Sequence, residues 1–307
     1  MQQKVILRLV ISLLIISTLA TSCKSKLEKK DVSLEEMQAG DGKHYDPVLP
    51  TADATPVYKS VNGKDFHLNI FNPEGHQPGD SAACIIFFFG GGFVNGNPPQ
   101  FEEQSKYLSS KGIVAVCADY RVISRDNCTA VECIMDAKSA IRYLRVHADE
   151  LGIDPGKIVM SGGSAGGALC WTNMIDNPEF TDAADDVSVS CKPDAVVMFN
   201  PVTNFEEYEF RIRKFDGAAA ALNPMNHLPD ACPPMIIYHG TADEMAGYRF
   251  AKEAADKLQA SGNDVTFVPF EGADHGFYQR NKNDGKYYEE TLQLTENWLR
   301  EKGFLLQ

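Results

Sequence analysis

The sequence has few of the features that define nucleic-acid-binding and metal-dependent proteins. Residues 1–30 carry six Lys or Arg and one Glu, so the net charge of −13 becomes −18 once this segment is set aside. A surface this acidic repels phosphate backbones. The HExxH motif, paired CxxC motifs and a Walker lysine are all absent. We therefore expect no nucleic-acid partner, no metal and no organic cofactor.

Long hydrophobic runs are also missing, except for one near the start of the chain. Residues 9–20 form an apolar run that follows basic residues and ends in small residues directly before Cys23. The run is too short for a membrane-spanning helix but is typical of a signal-peptide core. Small residues before a cysteine resemble a bacterial lipobox. We predict a lipoprotein signal peptide at 1–22, lipidation of Cys23 and a tether at 23–50; a plain secretory signal is the alternative.

This reading predicts an exported lipoprotein of the bacterial cell envelope, in the periplasm or on the cell surface, that contacts the membrane by its lipid anchor only. Export permits disulfides, and seven cysteines remain besides Cys23. An odd number leaves at least one free unless it pairs between chains. Cys128 with Cys133, or Cys191 with Cys232, could be bridged. The second pair is our hypothesis, because both residues precede predicted strands that would be neighbours in the sheet. Three cysteines within apolar stretches are expected to be buried: Cys84, Cys117 and Cys170.

The pattern of apolar residues predicts one α/β domain at 51–307. Two alternating segments, 57–61 and 66–70, flank Asn62-Gly63, which is a strong hairpin signal. Buried strands are predicted at 84–89, 113–118, 157–161, 194–199, 235–239 and 265–270. Helices are predicted at 99–111, 130–150, 165–176, 246–261 and 286–302. Strands that are apolar on both faces indicate a mainly parallel sheet covered by helices on both sides.

The clearest motif reads GGSAG at residues 162–166, between a predicted strand and a predicted helix. Gly-x-Ser-x-Gly in this position is typical of a nucleophile elbow, a turn so tight that it exposes the serine above the sheet. The helix N-terminus that follows favours developing negative charge. We therefore predict that Ser164 is a nucleophile rather than part of a merely structural turn.

A second glycine cluster, FGGGF at 89–93, follows the first central strand. A serine hydrolase needs backbone N–H groups close to the tetrahedral oxyanion, and glycines allow that approach. A nucleotide-phosphate loop is the alternative, but Asn95 stands where G-x-G-x-x-G requires glycine. The cluster therefore favours an oxyanion hole.

The base should be a histidine after the last strand, with the acid after the strand before it. His275 occupies the first place and Asp243 the second, with Glu244 as the fallback. Asp274 is adjacent to His275, and chain neighbours rarely point their side chains at each other. His239 closes a predicted strand and is expected to be a packed residue there. The order Ser, Asp, His is that of the α/β-hydrolases.

Together these motifs resemble the bacterial esterase branch of the α/β-hydrolases that is related to hormone-sensitive lipase and includes acetyl xylan and feruloyl esterases. The resemblance implies an α/β-hydrolase fold with a small or absent cap, and oxyanion donors at the amides of Gly91, Gly92 and Ala165. Asp119 and Arg121 would buttress the oxyanion loop. The chain differs from many relatives at two places. Residue 89 is phenylalanine where they have histidine, and residues 244–247 do not contain the valine-proline that they have there.

The resemblance implies a serine esterase that acts on small acyl esters, with acetyl or feruloyl groups on a polysaccharide among the candidates. Its partner would be a small-molecule or oligosaccharide ester. A peptidase of the prolyl oligopeptidase type has the same triad but usually carries a large accessory domain, for which there is no room before the hairpin. A non-catalytic carbohydrate-binding lipoprotein is the remaining alternative, although all three triad positions are filled.

Overall fold

The computed structural model describes residues 33–39, 49–175 and 178–306. Its helices are α1 (Leu34–Ala39), α2 (Glu102–Ser109), α3 (Ile123–Asp126), α4 (Ala130–Val146), α5 (Ala148–Leu151), α6 (Ala165–Met174), α7 (Glu209–Ile212), α8 (Ala219–Leu222), α9 (Tyr248–Ala260) and α10 (Lys286–Glu301). Its strands are β1 (Val57–Val61), β2 (Lys64–Phe71), β3 (Ala82–Phe88), β4 (Val114–Ala118), β5 (Ile153–Gly163), β6 (Ala195–Phe199), β7 (Met235–Gly240) and β8 (Val265–Phe270).

The strands form one eight-stranded sheet in the order β1-β2-β4-β3-β5-β6-β7-β8. The predicted hairpin is confirmed, because β1 and β2 pair antiparallel around Asn62 and Gly63, whose φ angles of 51° and 77° suit a type I′ turn. Strand β2 pairs antiparallel with β4, and all later pairings are parallel. The prediction of a mainly parallel sheet is confirmed.

Side chains from successive residues of β3 enter opposite faces of the sheet. Ile86 and Phe88 belong to a core that includes residues of α4 and α6, whereas Ile85 and Phe87 belong to a core that includes residues of α2 and α10. All four are buried, and burying each side chain stabilises the fold by about 1.5–3 kcal/mol. Helices therefore cover both faces, as predicted.

The predicted helix at 130–150 is in fact two helices. Thr129 and Glu132 form a capping box at the start of α4, which ends at Val146. His147 has φ −100° and ψ 20°, outside helical values, so α5 starts as a separate turn. The predicted signal peptide and Cys23 lie outside the described residues. In the part of the chain that the structure describes, no helix is both long and apolar enough to cross a bilayer.

The disulfide hypothesis is wrong, because all seven cysteines within the described ranges are free thiols. Strands β6 and β7 are neighbours, but the segments that lead into them diverge. The Cys191 carbonyl accepts a hydrogen bond from Asn173 at the end of α6, whereas the Cys232 amide donates to Asn263, just before β8. In the other pair, the Cys133 thiol donates to the Thr129 carbonyl instead. Burial of Cys84, Cys117 and Cys170 is confirmed.

Candidate active site

The predicted site residues lie at the carboxyl edge of the parallel sheet. Ser164 follows β5, the glycine cluster at 89–93 follows β3, Asp243 follows β7 and His275 follows β8. The carboxyl ends of parallel strands meet at one edge, which is where open α/β sheets bind ligands. Residues far apart in sequence therefore converge there.

Ser164 occupies a strained turn between β5 and α6. Its backbone has φ 56° and ψ −114°, an unusual conformation for a residue other than glycine. The turn is tight because a Cβ at Gly163 would lie 2.0 Å from the Tyr278 hydroxyl, and one at Gly166 would lie 2.0 Å from the Phe88 carbonyl oxygen. The flanking glycines therefore permit the turn that presents the Ser164 hydroxyl to the cleft.

The structure brings Ser164, His275 and Asp243 into one hydrogen-bonded chain. His275 Nε2 lies 3.0 Å from Ser164 Oγ, and His275 Nδ1 lies 2.8 Å from Asp243 Oδ2. The carboxylate accepts the Nδ1–H, so Nε2 is left unprotonated and can accept the serine proton. This is the geometry of a nucleophile, a base and an orienting acid.

The loop after Asp243 fixes the orientation of its carboxylate. Oδ1 accepts hydrogen bonds from the backbone N–H groups of Met245 and Ala246, each at 2.9 Å. Burial alone would raise the pKa of Asp243, but the neighbouring imidazoles of His239 and His275 and the Ala246 N–H outweigh it and hold the pKa well below its usual range. Arg211 of α7 donates to the Met245 carbonyl and holds the loop from outside. The segment that lacks valine-proline thus still orients the acid.

Asp274 does not face His275. Its side chain is 61% exposed, and its carboxylate lies 3.5 Å from the Lys282 ammonium. The structure therefore separates the two candidate acids clearly, and Asp243 is the one that contacts the histidine.

Two further residues contact this chain of side chains, and sequence reasoning missed both contacts. Asn200, directly after β6, accepts a hydrogen bond from the Gly276 N–H at 3.2 Å, and its amide nitrogen lies 3.4 Å from His275 Nδ1. A polar residue at the carboxyl end of an apolar strand was the available signal. His239 is buried, as predicted, but its Nε2 also lies 3.3 Å from Asp243 Oδ2.

The amides predicted to form an oxyanion hole border the same cleft as Ser164. Gly91, Gly92 and Ala165 line it together with Ser164 and His275. Within the described residues, the N–H groups of Gly91 and Gly92 donate to no other backbone or side-chain acceptor. Gly91 has φ 135°, and a Cβ there would lie 1.9 Å from the Asn95 carbonyl oxygen. The loop therefore depends on glycine and leaves two N–H groups available.

An aromatic stack braces this loop at Phe89, where the resemblance would lead one to expect histidine. The Phe89 ring stacks on Tyr120 with centroids 4.1 Å apart, and the Tyr120 hydroxyl donates to the Phe89 carbonyl at 2.7 Å. Lys214 Nζ donates to the Gly92 carbonyl at 2.9 Å, and Gln100 accepts from the Gly90 N–H at 2.6 Å. Side chains from three separate segments thus hold the loop.

Ion pairs on either side of Tyr120 support this stack. Arg121 makes two hydrogen bonds with the Asp136 carboxylate, at 2.7 and 2.8 Å. Asp119 lies 3.0 Å from Arg125. Both ion pairs are largely buried. Their role is structural, since they fix the backbone that carries Tyr120.

The cleft has a volume of about 1180 Å³ and mostly apolar walls. The segment at 201–234 contributes Phe205, Phe210, Lys214 and Phe215, and α1 contributes Met37. The side-chain amide of Gln38, also in α1, donates a hydrogen bond to the Cys128 carbonyl at 3.0 Å. The cap is therefore small: short helices and turns line the cleft beside the serine.

An eight-stranded, mainly parallel sheet with helices on both faces and a strand–serine–helix turn at its carboxyl edge defines an α/β-hydrolase. The BD-FAE family model matches residues 68–258. The chain belongs to the BD-FAE family.

Solved structures and curated relatives agree with this assignment. The apo form of esterase 2 from Thermogutta terrifontis is 40% identical, with a TM-score of 0.82, and the match covers 86% of this chain and 100% of that one. The same enzyme phosphonylated by cyclosarin is 41% identical, with a TM-score of 0.80 and coverage of 85% and 98%. Esterase LipQ of Mycobacterium tuberculosis is 26% identical over 74% of this chain and 58% of its own length. The chain spans about half the length of the curated relatives it matches.

Proposed function

We propose that this protein is a serine carboxylic-ester hydrolase with Ser164 as nucleophile, His275 as general base and Asp243 as orienting acid. The observation that carries the proposal is the continuous hydrogen-bonded chain from Asp243 through His275 to Ser164, with separations of 2.8 and 3.0 Å. It ends in a cleft bordered by glycine N–H groups that have no other acceptor in the described chain. The similarity to esterases supports the same reaction.

The geometry suits acyl transfer in two steps. His275 Nε2 takes the Ser164 proton as Oγ attacks the ester carbonyl carbon, and the amides of Gly91, Gly92 and Ala165 stabilise the oxyanion. Protonated His275 then gives its proton to the leaving alcohol, and an acyl-enzyme remains. Water attacks the acyl group while His275 takes a proton from it, and Ser164 is released. Asp243 stabilises the imidazolium in both steps.

The acyl group is proposed to be short. Esterase 2 of Thermogutta terrifontis, 39% identical to this chain, has been solved with propionate bound and with butyrate bound. A short acyl group would fill a small part of the 1180 Å³ cleft, since clefts of about 300–1,000 Å³ accommodate drug-sized ligands. Most of the space is thus available to the alcohol.

The alcohol is proposed to be a sugar of an oligosaccharide or polysaccharide. A groove of about 490 Å³, lined by residues with polar or charged side chains, adjoins the cleft, and Gln100 and Gln279 line both. Gln104, which is 5% exposed, also lines the groove. An ion pair between Glu103 and Arg280, at 2.7 Å, borders the groove. Amides, carboxylates and guanidinium groups match the donors and acceptors of sugar hydroxyls.

A substrate panel tests this proposal. We expect kcat/KM to be highest for p-nitrophenyl acetate and propionate, to fall for the octanoate, and to be measurable for acetylated xylo-oligosaccharides. The double variant Gln104→Leu, Arg280→Ala should raise KM for the oligosaccharides by about tenfold. This is the change in affinity expected from the loss of one or two hydrogen bonds. Activity on p-nitrophenyl acetate should stay within about twofold, since that ester does not reach the groove.

The matched control is Lys252→Ala, which removes an exposed side chain on α9 that pairs with Asp256. An equal loss on both kinds of substrate in the groove variant would argue against a sugar subsite. Hydrolysis of peptide amides in preference to every ester would favour a peptidase instead.

We further propose that the protein is exported and anchored through lipid on Cys23. The support is the apolar run at 9–20 that ends in small residues before this cysteine. Metabolic labelling with an alkyne-tagged fatty acid should mark the wild type, and Cys23→Ala should abolish the label and release soluble protein. Cys191→Ala, which changes a partly exposed thiol, should keep both the label and membrane association. Unchanged membrane association of Cys23→Ala would disprove the anchor.

A further inference from the structure

A second histidine contacts the carboxylate of Asp243. His239 lies in β7, four residues before Asp243, and its side chain is fully buried. His239 Nε2 lies 3.3 Å from Asp243 Oδ2, the same oxygen that accepts the His275 Nδ1–H at 2.8 Å. Within the described residues, neither ring nitrogen of His239 has a well-aligned hydrogen bond. Buried polar groups are normally paired, and the Asp243 carboxylate is an acceptor within reach of this ring.

The surroundings of His239 keep its ring neutral. Burial lowers the pKa of His239, and the attraction of Asp243 offsets this only in part. The other titratable groups around it are His275, which also lowers the pKa, and Tyr248 of α9, whose ring packs edge-on at 5.7 Å. Arg211 acts on Asp243 from the far side of the acid loop. A neutral imidazole has a single N–H, and Nε2 is the ring nitrogen that lies beside the Asp243 carboxylate.

We propose that His239 is a positioning residue of the active site: its Nε2–H donates to Asp243 Oδ2 and thereby sets the pH at which His275 becomes a free base. With the N–H groups of Met245, Ala246 and His275, it is the fourth donor to one carboxylate. The inference rests on the proposed function, because it concerns the proposed base.

The physical consequence has a definite sign. A carboxylate that accepts more hydrogen bonds is a weaker base and stabilises the neighbouring imidazolium less. Losing one of the four hydrogen bonds would therefore strengthen the interaction of this carboxylate with the imidazolium. Removing the fourth donor should raise the pKa of His275, so the rate should rise with pH at a higher pH than in the wild type.

The first test compares His239→Phe with His239→Gln. Phenylalanine keeps the packing volume but has no donor, whereas the glutamine amide nitrogen can take the place of Nε2. The pH dependence of kcat/KM for p-nitrophenyl acetate, measured between about pH 5 and 9, should shift upward by about half a unit to one unit in His239→Phe. His239→Gln should restore the wild-type profile to within about 0.2 unit. An unshifted His239→Phe profile, or equal shifts in both variants, would show that His239 only packs.

The second test does not require ester hydrolysis. In Ser164→Ala protein with isotope-labelled histidine, NMR should show His239 neutral, with its proton on Nε2, from about pH 5.5 to 9. Adding His239→Phe should raise the pKa of His275 in the same titration. A proton on Nδ1 of His239, or a His275 titration that His239→Phe leaves unmoved, would overturn the inference even if the protein proves to have no esterase activity. A shift of His275 in a protein that hydrolyses no ester would instead count against the proposed function alone.

Discussion

Ser164→Ala is expected to lower kcat for p-nitrophenyl acetate by about five to six orders of magnitude. The substitution removes the proposed nucleophile and leaves the proposed oxyanion loop in place, so only a small residual rate over water should remain. The melting temperature should change by a few degrees at most, because Ser164 lies at a turn beside the cleft and alanine adds no atoms. Steady-state kinetics, thermal unfolding and labelling by a fluorophosphonate measure the three effects.

The chain offers a matched control three residues earlier. Ser161 lies within β5, is fully buried, and its hydroxyl has no hydrogen-bond partner among the described residues. Ser161→Ala should therefore keep both activity and labelling. His275→Ala should be about as severe as Ser164→Ala, and the double variant should be no worse, because the residues act as a unit. Fluorophosphonate labelling that persists in Ser164→Ala would point to a different nucleophile.

The features predictable from sequence are those encoded within a few consecutive residues. The GGSAG turn could be recognised because the strand before it, the glycines and the helix after it are all local. The same holds for the Asn62-Gly63 hairpin and for the apolar strands that alternate with amphipathic helices. Parallel pairing then places Ser164, Asp243 and His275 at one edge of the sheet, so chain order was enough to predict that these three residues converge.

Contacts between distant segments were not predictable in this way. Lys214 contacts Gly92 across 122 residues of sequence, and Asn200 contacts Gly276 across 76. The Lys214 contact leaves no local pattern, because it depends on how the segment at 201–234 folds over the sheet edge. The polar residue at the end of β6 is a local signal for Asn200, but that signal does not identify Gly276 as its partner. The hypothesis that Cys191 and Cys232 are bridged failed for a related reason. Neighbouring strands were inferred correctly, but the paths of the loops before them were not.

Phe89 illustrates the same limit within a recognised motif. The sequence shows only that histidine is missing from the start of the oxyanion loop. The replacement is a stack on Tyr120, whose hydroxyl also holds the Phe89 carbonyl. The ring of Phe89 approaches Gly96 so closely that a Cβ there would lie 2.4 Å from it. The Phe89–Tyr120 stack and the glycine loop therefore pack together as one unit, which the identity of a single residue does not predict.

Asp243→Asn is expected to lower kcat by about four orders of magnitude, less than the loss of Ser164. The reason lies in the two oxygens of Asp243. Oδ1 accepts the N–H groups of Met245 and Ala246, so an asparagine will place its carbonyl oxygen there and turn its NH₂ toward His275. His275 Nδ1 then faces a donor and must give up its proton, which moves to Nε2. A protonated Nε2 cannot accept the Ser164 proton, so the base is in the wrong tautomer.

Asp274→Asn is the control that separates the two candidate acids. The Asp274 carboxylate is 61% exposed and lies 3.5 Å from Lys282; an exposed pair of this kind contributes about 0–1 kcal/mol, so activity should stay within about twofold. The kinetic comparison should include the His275 tautomer in Asp243→Asn, read by nitrogen NMR, because the expected cause of the loss is a proton on Nε2. A severe loss in Asp274→Asn with an active Asp243→Asn would reverse the assignment. If Asp243→Asn is slow but His275 keeps its proton on Nδ1, Asp243 would remain the acid. The change of tautomer would then be refuted as the cause of the slow rate.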